Sequence, residues 1–191
     1  MESALYLASR SPRRQQLLAQ LGVAFETQPA DILERRAPGQ SPQQYAEATA
    51  LAKAQSVAAA HPHAYCLGAD TDVVVGDQIL GKPADRAACV EMLLQLSERE
   101  HHVLSAVALL GPDFSAQCLT VTIVRFGTIS AAEAAAYWDT GEPADKAGGY
   151  AVQGLAARFV RELHGSYSGV VGLPLFETAE LLQQAGFKVQ P

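Results

Sequence analysis

The chain has 191 residues, 49% of them hydrophobic, which suffices for one domain with a full core or for one domain of two lobes. Its 20 Asp and Glu against 14 Lys and Arg give a net charge of −6, which disfavours nonspecific nucleic-acid binding and leaves anion binding to local cations. The cysteines Cys66, Cys89 and Cys118 are widely spaced and fit neither a zinc pattern nor a disulfide framework, and no uninterrupted apolar segment is long enough to cross a bilayer.

The stretch up to Arg10 lacks a basic region followed by a signal-length apolar core, so a cytoplasmic protein without membrane contact is expected. Ala4 to Ala8 is a short apolar run that predicts a buried strand. Ser11 then offers a helix cap with Pro12 at the first helical position, Leu17, Leu18 and Leu21 supply an apolar face, and Gly22 is placed to end the helix. Arg13 and Arg14 therefore fall in its first turn, where positive charge opposes the helix dipole. A bound anion would reverse that penalty, because free backbone N–H groups point the same way. Phe25 to Thr27 predicts a second strand, Gln28 to Gln40 a charged loop, and Ser41-Pro42 the start of an alanine-rich helix reaching about Ala60.

Tyr65 to Ala69 reads as a strand that delivers Asp70 and Thr71 at its C-terminal end, and Val73 to Leu80 as a hairpin about Gly76-Asp77. A helix is expected over Ala84 to Leu96. Strands follow over Val103 to Leu110 and Cys118 to Phe126, with Gly111-Pro112-Asp113 turning between them. Ser130 caps a helix over Ala131 to Asp139, and Gly141 to Gly149 is irregular and polar. Short strands are predicted around Val152, Phe159 to Leu163 and Val170. A last helix after Leu173-Pro174 carries Leu175, Ala179 and Leu182 on its inner face. This order fits an α/β fold with a mixed, substantially antiparallel sheet flanked by helices better than a regular βαβ repeat.

Polar motifs sit at the junctions of these elements. Guanidinium matches phosphate oxygens bidentately, so Arg13 and Arg14 suit a triphosphate; the plainer alternative is a solvated helix end. Asp70 suits a divalent metal or general-base work toward water, against the plainer reading of a turn cap. Asp72 alternates with Asp70, so both share a face if the chain is extended and part if it turns. Glu34 is one charge in an acidic and basic loop, and Lys53 in its alanine-rich helix reads first as a snorkelling surface side chain. Lys82 is restrained between Gly81 and Pro83 in a way that suits phosphate, although this is no P-loop. Asp145 and Lys146 adjoin Gly148-Gly149, where backbone can approach a ligand closely, and Gln153 offers both a donor and an acceptor to a base edge. Zinc motifs and a Gly-x-Ser-x-Gly elbow are absent, so metal-assisted phosphate chemistry is the best of the reaction classes.

Each motif is weak singly, but their order and spacing are specific. Leu7-Ala8-Ser9-Arg10-Ser11-Pro12-Arg13-Arg14, Gly68-Ala69-Asp70-Thr71, Gly81-Lys82-Pro83, Gly141 to Gly154, Gly165-Ser166-Tyr167 and Val170-Val171-Gly172-Leu173-Pro174 together resemble the Maf family of nucleoside triphosphate pyrophosphatases, also named septum formation inhibitor proteins. The resemblance runs from Leu5 to about Leu182 and implies one Maf-like domain over residues 1–191, with two lobes about a central cleft in a Maf/ITPase-like fold.

It implies hydrolysis of a nucleoside triphosphate to the monophosphate and pyrophosphate, a house-cleaning activity, with a divalent cation: Mg2+, Mn2+ or Co2+. Asp70 is the base by this resemblance. Arg13, Thr71 and Gln153 match the subgroup acting on dTTP and UTP, or on modified pyrimidine nucleotides. The sister subgroup preferring 7-methyl-GTP typically carries Gly-Ser-Asp-Gln in place of Gly68-Ala69-Asp70-Thr71. The expected site is Asp70 as base, Glu34 and Asp70 at the metal, and Ser9, Arg13, Arg14, Lys53, Thr71, Lys82, Lys146 and Gln153 on the substrate. Departures from the pattern are Leu33 within the acidic cluster, Ala52 before Lys53, and Asp72 where an aliphatic residue is common. The family also suggests a homodimer. The alternative function is a nucleotide-binding regulator of cell division acting through a protein partner, and a third is a transferase using the same cleft.

Overall fold

The computed structural model describes residues 4–190. β1 (Leu5–Leu7) leads into α1 (Pro12–Ala19), where the Ser11 hydroxyl accepts from the Arg14 N–H and Pro12 opens the first turn, as the sequence predicts. After β2 (Glu26–Thr27) and the charged loop comes α2 (Pro42–Ala58), begun by a full capping box between Ser41 and Gln44. β3 (Tyr65–Val75) turns through Gly76, at φ +59°, into β4 (Gln78–Leu80). α3 (Arg86–Leu96) is capped by Asp85, and β5 (Glu100–Gly111) and β6 (Phe114–Phe126) form a long hairpin about Pro112-Asp113. α4 (Ala131–Trp138) starts at a Ser130–Glu133 capping box, and the stretch from Glu142 to Phe159 holds short 3-10 turns. β7 (Val160–His164), α5 (Tyr167–Val171) and α6 (Leu175–Gln184) complete the chain.

Three expectations are corrected. The strand expected to stop at Ala69 runs on through Asp70 to Val75, because β5 pairs with it antiparallel from Cys66 to Val74 and keeps the chain extended past its charges. No strand forms at Val152, which lies in a turn, nor at Val170, which lies inside α5; there the Ser166 hydroxyl accepts from the Gly169 N–H at 3.0 Å and starts a helical turn instead. α6 buries Thr178, Leu181 and Leu182, with Leu175 and Ala179 at the margin of the same cluster.

Seven strands form one sheet in the order β2-β1-β3-β5-β6-β7, with β4 also paired to β3. β1 is parallel to β2 and β3, and the remaining pairs are antiparallel. β5 occupies one edge of β3. On the other edge β1 covers Tyr65 to Leu67 and β4 covers Val73 to Val75, so Gly68 to Asp72 has no strand beside it.

α2 lies on one face of the sheet, with Ala46, Ala50 and Ala54 against Val74, Leu104, Ala106 and Ala108. The approach is close: a Cβ at position 68 would stand 2.1 Å from the Ala50 carbonyl oxygen, so only glycine fits under this helix. The opposite face carries two groups of helices. α1 and α6 pack with Leu5, Leu7, Leu67 and Leu109, and α3 and α4 pack with Val73, Val103, Val124 and Phe126. No helix of the described residues is long and apolar enough to cross a membrane.

Candidate active site

A cleft of about 820 Å³ opens at the uncovered edge of β3. The loop after β1 supplies Ser9 to Arg14, the charged loop Asp31, Ile32 and Glu34, β3 itself Asp70 to Val73, and the turn after β4 Gly81 and Lys82. Asp145, Lys146, Tyr150 and Gln153 close it from the irregular segment, and Val170 to Gly172 from α5. Every site residue expected from the sequence lines this one cleft, Lys53 reaching it from α2.

The period of two along β3 sorts its polar residues between the faces of the sheet. Asp70 and Asp72 point to the α2 side, as an extended chain requires. Lys53 is buried and not at the surface: its Nζ lies 2.7 Å from Asp70 Oδ1 and 2.9 Å from Glu34 Oε1. The tight seat of α2 over Gly68 brings this lysine within reach of a carboxylate two residues farther along the strand. Tyr45 belongs to no motif but also lines the cleft. Tyr45, Thr49 and Lys53 follow one another at four-residue spacing in an alanine-rich helix, the pattern of a polar stripe on one helix face. Burial, then the Asp70 and Asp72 charges, push the Tyr45 hydroxyl above the usual tyrosine range.

Asp72 is buried, and burial first, then the neighbouring Asp70 charge, push its carboxyl up to about 8. Its Oδ2 is buried without a hydrogen-bond partner.

On the other face, the Thr71 hydroxyl accepts from Arg14 Nη2 at 3.1 Å and donates to the Gly172 carbonyl at 3.3 Å. Arg14 Nε donates to the same carbonyl at 2.8 Å, so the guanidinium is fixed against both β3 and α5. Arg13 pairs with Asp145 at 3.1 Å, across 132 residues of chain. Lys146 donates from Nζ to the Glu142 carbonyl at 3.1 Å and pairs with Asp145. The Ser9 hydroxyl accepts from the Ser11 N–H at 3.1 Å, shaping the loop that leads into α1. Gly148, at φ +66°, lies so close to β3 that a Cβ would fall 2.9 Å from Val73, and its N–H donates to the Gly81 carbonyl at 3.0 Å. The segment carrying Lys146 is thereby pressed beside the one carrying Lys82. Lys82 and Gln153 are exposed. The cleft thus combines cations for a polyanion with a buried carboxylate suited to activating water.

The protein family described as Maf-like protein matches residues 4–185. A dTTP/UTP pyrophosphatase of Saccharophagus degradans is 53% identical over 182 residues, covering 93% of this chain and 87% of that protein. One from Xanthomonas euvesicatoria is 52% identical over 187 residues, covering 95% and 98%. One from Colwellia psychrerythraea is 48% identical over 188 residues, covering 96% and 89%. Among solved structures, a HAM1 protein from Coxiella burnetii aligns with a TM-score of 0.45 at 16% identity, over 65% of this chain and 73% of that one.

Proposed function

The chain belongs to the Maf-like protein family, and from that premise we propose that it hydrolyses dTTP and UTP, or modified pyrimidine nucleotides of the same kind, to the monophosphate and pyrophosphate. The observation that carries the reading is the convergence of Asp70 with Arg13, Arg14, Lys53, Lys82 and Lys146 on one cleft. The relatives at about half identity are named for hydrolysis, which favours turnover over a purely regulatory binding role.

In this mechanism the triphosphate lies against the arginines and lysines, which neutralise its charge as it is transferred to the leaving group. Asp70 takes a proton from a water whose oxygen attacks the α-phosphorus. The bond from that phosphorus to the bridging oxygen breaks, and pyrophosphate departs with the electron pair. Thr71 contributes through Arg14, since its hydroxyl is already engaged by that guanidinium and by Gly172. The Ser9 hydroxyl shapes the loop that presents Arg13 and Arg14. Gln153 offers its amide to the pyrimidine, whose 4-oxo acceptor and N3–H donor match it.

The carboxylate side of the cleft suits a divalent cation such as Mg2+, Mn2+ or Co2+: oxygen ligands suit hard cations, Asp72 Oδ2 is buried without a hydrogen-bond partner, and positive charge there would favour the ionised form of that carboxyl. Glu34 and Asp70 would hold it. Lys53 Nζ, seated between these two, marks where positive charge is already required. The cation would supply further neutralisation of phosphate oxygens. The same reading carries a homodimer, for which light scattering at assay concentration is the direct test.

The activity test is pyrophosphate release from dTTP, UTP, CTP, dGTP and 7-methyl-GTP with Mg2+ or Mn2+, beside Asp70→Asn. Preference for dTTP and UTP is expected, with kcat in the variant lower by on the order of 10²-fold or more. Near-normal turnover by Asp70→Asn removes the base from this scheme, and preference for 7-methyl-GTP moves the chain to the other subgroup.

A further inference from the structure

Glu142 has no part in the scheme above and does not line the cleft, yet its carboxylate is among the most heavily bonded in the molecule. Its Oε2 accepts from the Leu155 N–H at 3.0 Å, and its Oε1 accepts from the Ala156 N–H at 3.3 Å and from the Tyr137 hydroxyl at 2.6 Å. The buried Tyr137 hydroxyl in turn accepts from the Ala151 N–H at 3.2 Å. A Cβ at Gly154 would stand 2.2 Å from the Glu142 carboxylate, so a side chain there would push the carboxylate off these bonds. The backbone on both sides of Gln153 is therefore tied to one acid and one phenol, while the Gln153 side chain has no hydrogen bond of its own among the described residues and stands exposed at the cleft.

Against the burial that raises it, the hydrogen bonds from Tyr137, Leu155 and Ala156 hold the Glu142 carboxyl below the usual range, so it is ionised at neutral pH. Hydrogen bonds to an ionised acceptor are about twice as strong as neutral ones, and here several converge on a single side chain. The 3-10 turns on either side have little other regular structure to hold them.

We propose that Glu142, assisted by Tyr137, is a positioning residue for pyrimidine selection: its carboxylate fixes the turn from Ala151 to Ala156 so that the Gln153 amide meets the base in one orientation. This rests on the reading of Gln153 as the base contact. Loosening the turn leaves Asp70 and Lys53 in place, because they are carried by β3 and α2. The loss therefore falls on binding and on discrimination and not on the chemical step, which raises KM while kcat holds. A base-reading site whose polar group is no longer held also loses its advantage over an analogue with mismatched donors.

The experiment is a double-mutant cycle on Glu142→Ala and Gln153→Ala, with kcat and KM measured for UTP and for CTP, which differ at the base edge alone, and thermal melts recorded beside them. The expected result is a rise in KM for UTP of about tenfold in Glu142→Ala with kcat within a few-fold, and a matching fall in the UTP-over-CTP ratio. The double variant should then be no less selective than Gln153→Ala alone, since both act through one contact. Selectivity losses that multiply in the double variant, or a fall in kcat at constant KM, overturn the positioning role while leaving Gln153 as the base contact. Full selectivity retained by Gln153→Ala instead overturns the base-reading itself, and the proposal with it. Tyr137→Phe removes only the hydroxyl and keeps the test available if Glu142→Ala does not fold; the same KM-only change is expected there, smaller in size, and its absence counts against the proposal.

Discussion

At one end of the cleft, Asp70, Asp72 and Lys53 are carried by a central strand and a helix packed on it backbone-close; at the other, Gln153 rides on irregular turns tied down by Glu142, Tyr137 and a bond from Tyr150 to His101. The first end holds charges where water is scarce, with Lys53 and Asp70 side chains 11% and 8% exposed. The second leaves its charges more open to water, with Arg13 half-buried at 26% and Asp145 exposed at 62%. Chemistry placed on regular elements is costly to disturb, whereas recognition placed on tethered loops can change with little cost to the fold. A family that keeps one reaction and varies its nucleotide would be expected to divide its site in this way.

The sharpest way to break the comparison is Lys53→Met. The thioether replaces the ammonium at similar length and leaves the Asp70 charge without its cation in a buried setting. Removing one partner of a buried pair costs about 3–5 kcal/mol. Urea unfolding should show a loss of that order, with turnover falling as well. A loss under about 1 kcal/mol would place the pair in the class of exposed ion pairs and erase the contrast between the two ends.

A second test acts on the tether beneath the recognition end. His101 is buried, and Nε2 lies 2.8 Å from the Tyr150 hydroxyl, while Nδ1 has no partner. Burial, then the adjacent His102, lower its pKa to about 4 from the ordinary 6.5. Between those values the unfolded chain binds a proton that the native state refuses, so stability is full above about pH 6.5 and falls as the pH drops toward 4. The contribution over this window is about 3 kcal/mol. Unfolding curves at pH 7, 5.5 and 4.5 should show it. His101→Gln, which keeps a neutral polar group opposite Tyr150, should flatten that part of the slope. An unchanged slope in the variant would assign the acid loss to other groups.

Much of the local structure is legible in the residues themselves. Ser11-Pro12 and Ser41-Pro42 mark helix starts because a hydroxyl cap and a fixed φ act within four residues, Ser130 marks a third through its capping box with Glu133, and Gly76-Asp77 marks a hairpin because glycine takes the positive φ of the turn. The members of the site were also within reach, since their motifs occur in a specific order. The pairings among them were not. Asp70 sits in mid-strand and not at a strand end because β5, which sets Ala106 opposite it, keeps the chain extended. Lys53 is drawn inside by a carboxylate 17 residues away, against its ordinary preference for the surface. Glu142 stands in a Gly-Glu-Pro motif that says nothing of its target, because the N–H groups it gathers become neighbours only once the turn after Gln153 has folded. Patterns of local period carry elements, and nonlocal pairing decides what each polar residue faces.

The smallest effect is expected at Asp145, and it sharpens the comparison by its size. This carboxylate engages both Arg13 and Lys146, and a tally of contacts would rank it with Asp70. It is 62% exposed, however, so water already solvates the charge and replaces most of what each partner supplies. Exposed pairs of this kind contribute about 0–1 kcal/mol. Asp145→Asn should therefore move the unfolding free energy by less than about 1 kcal/mol, and the difference from the parent should vanish near 1 M salt, where the screening length is about 3 Å. The loss from Lys53→Met should persist in the same salt, because both side chains are largely buried and buried pairs are screened much less than exposed ones. Measuring both variants at low and high salt separates ion pairs that hold the fold from those that only line the opening. A salt-resistant loss of several kcal/mol at Asp145 would show that the recognition end is built as firmly as the catalytic one.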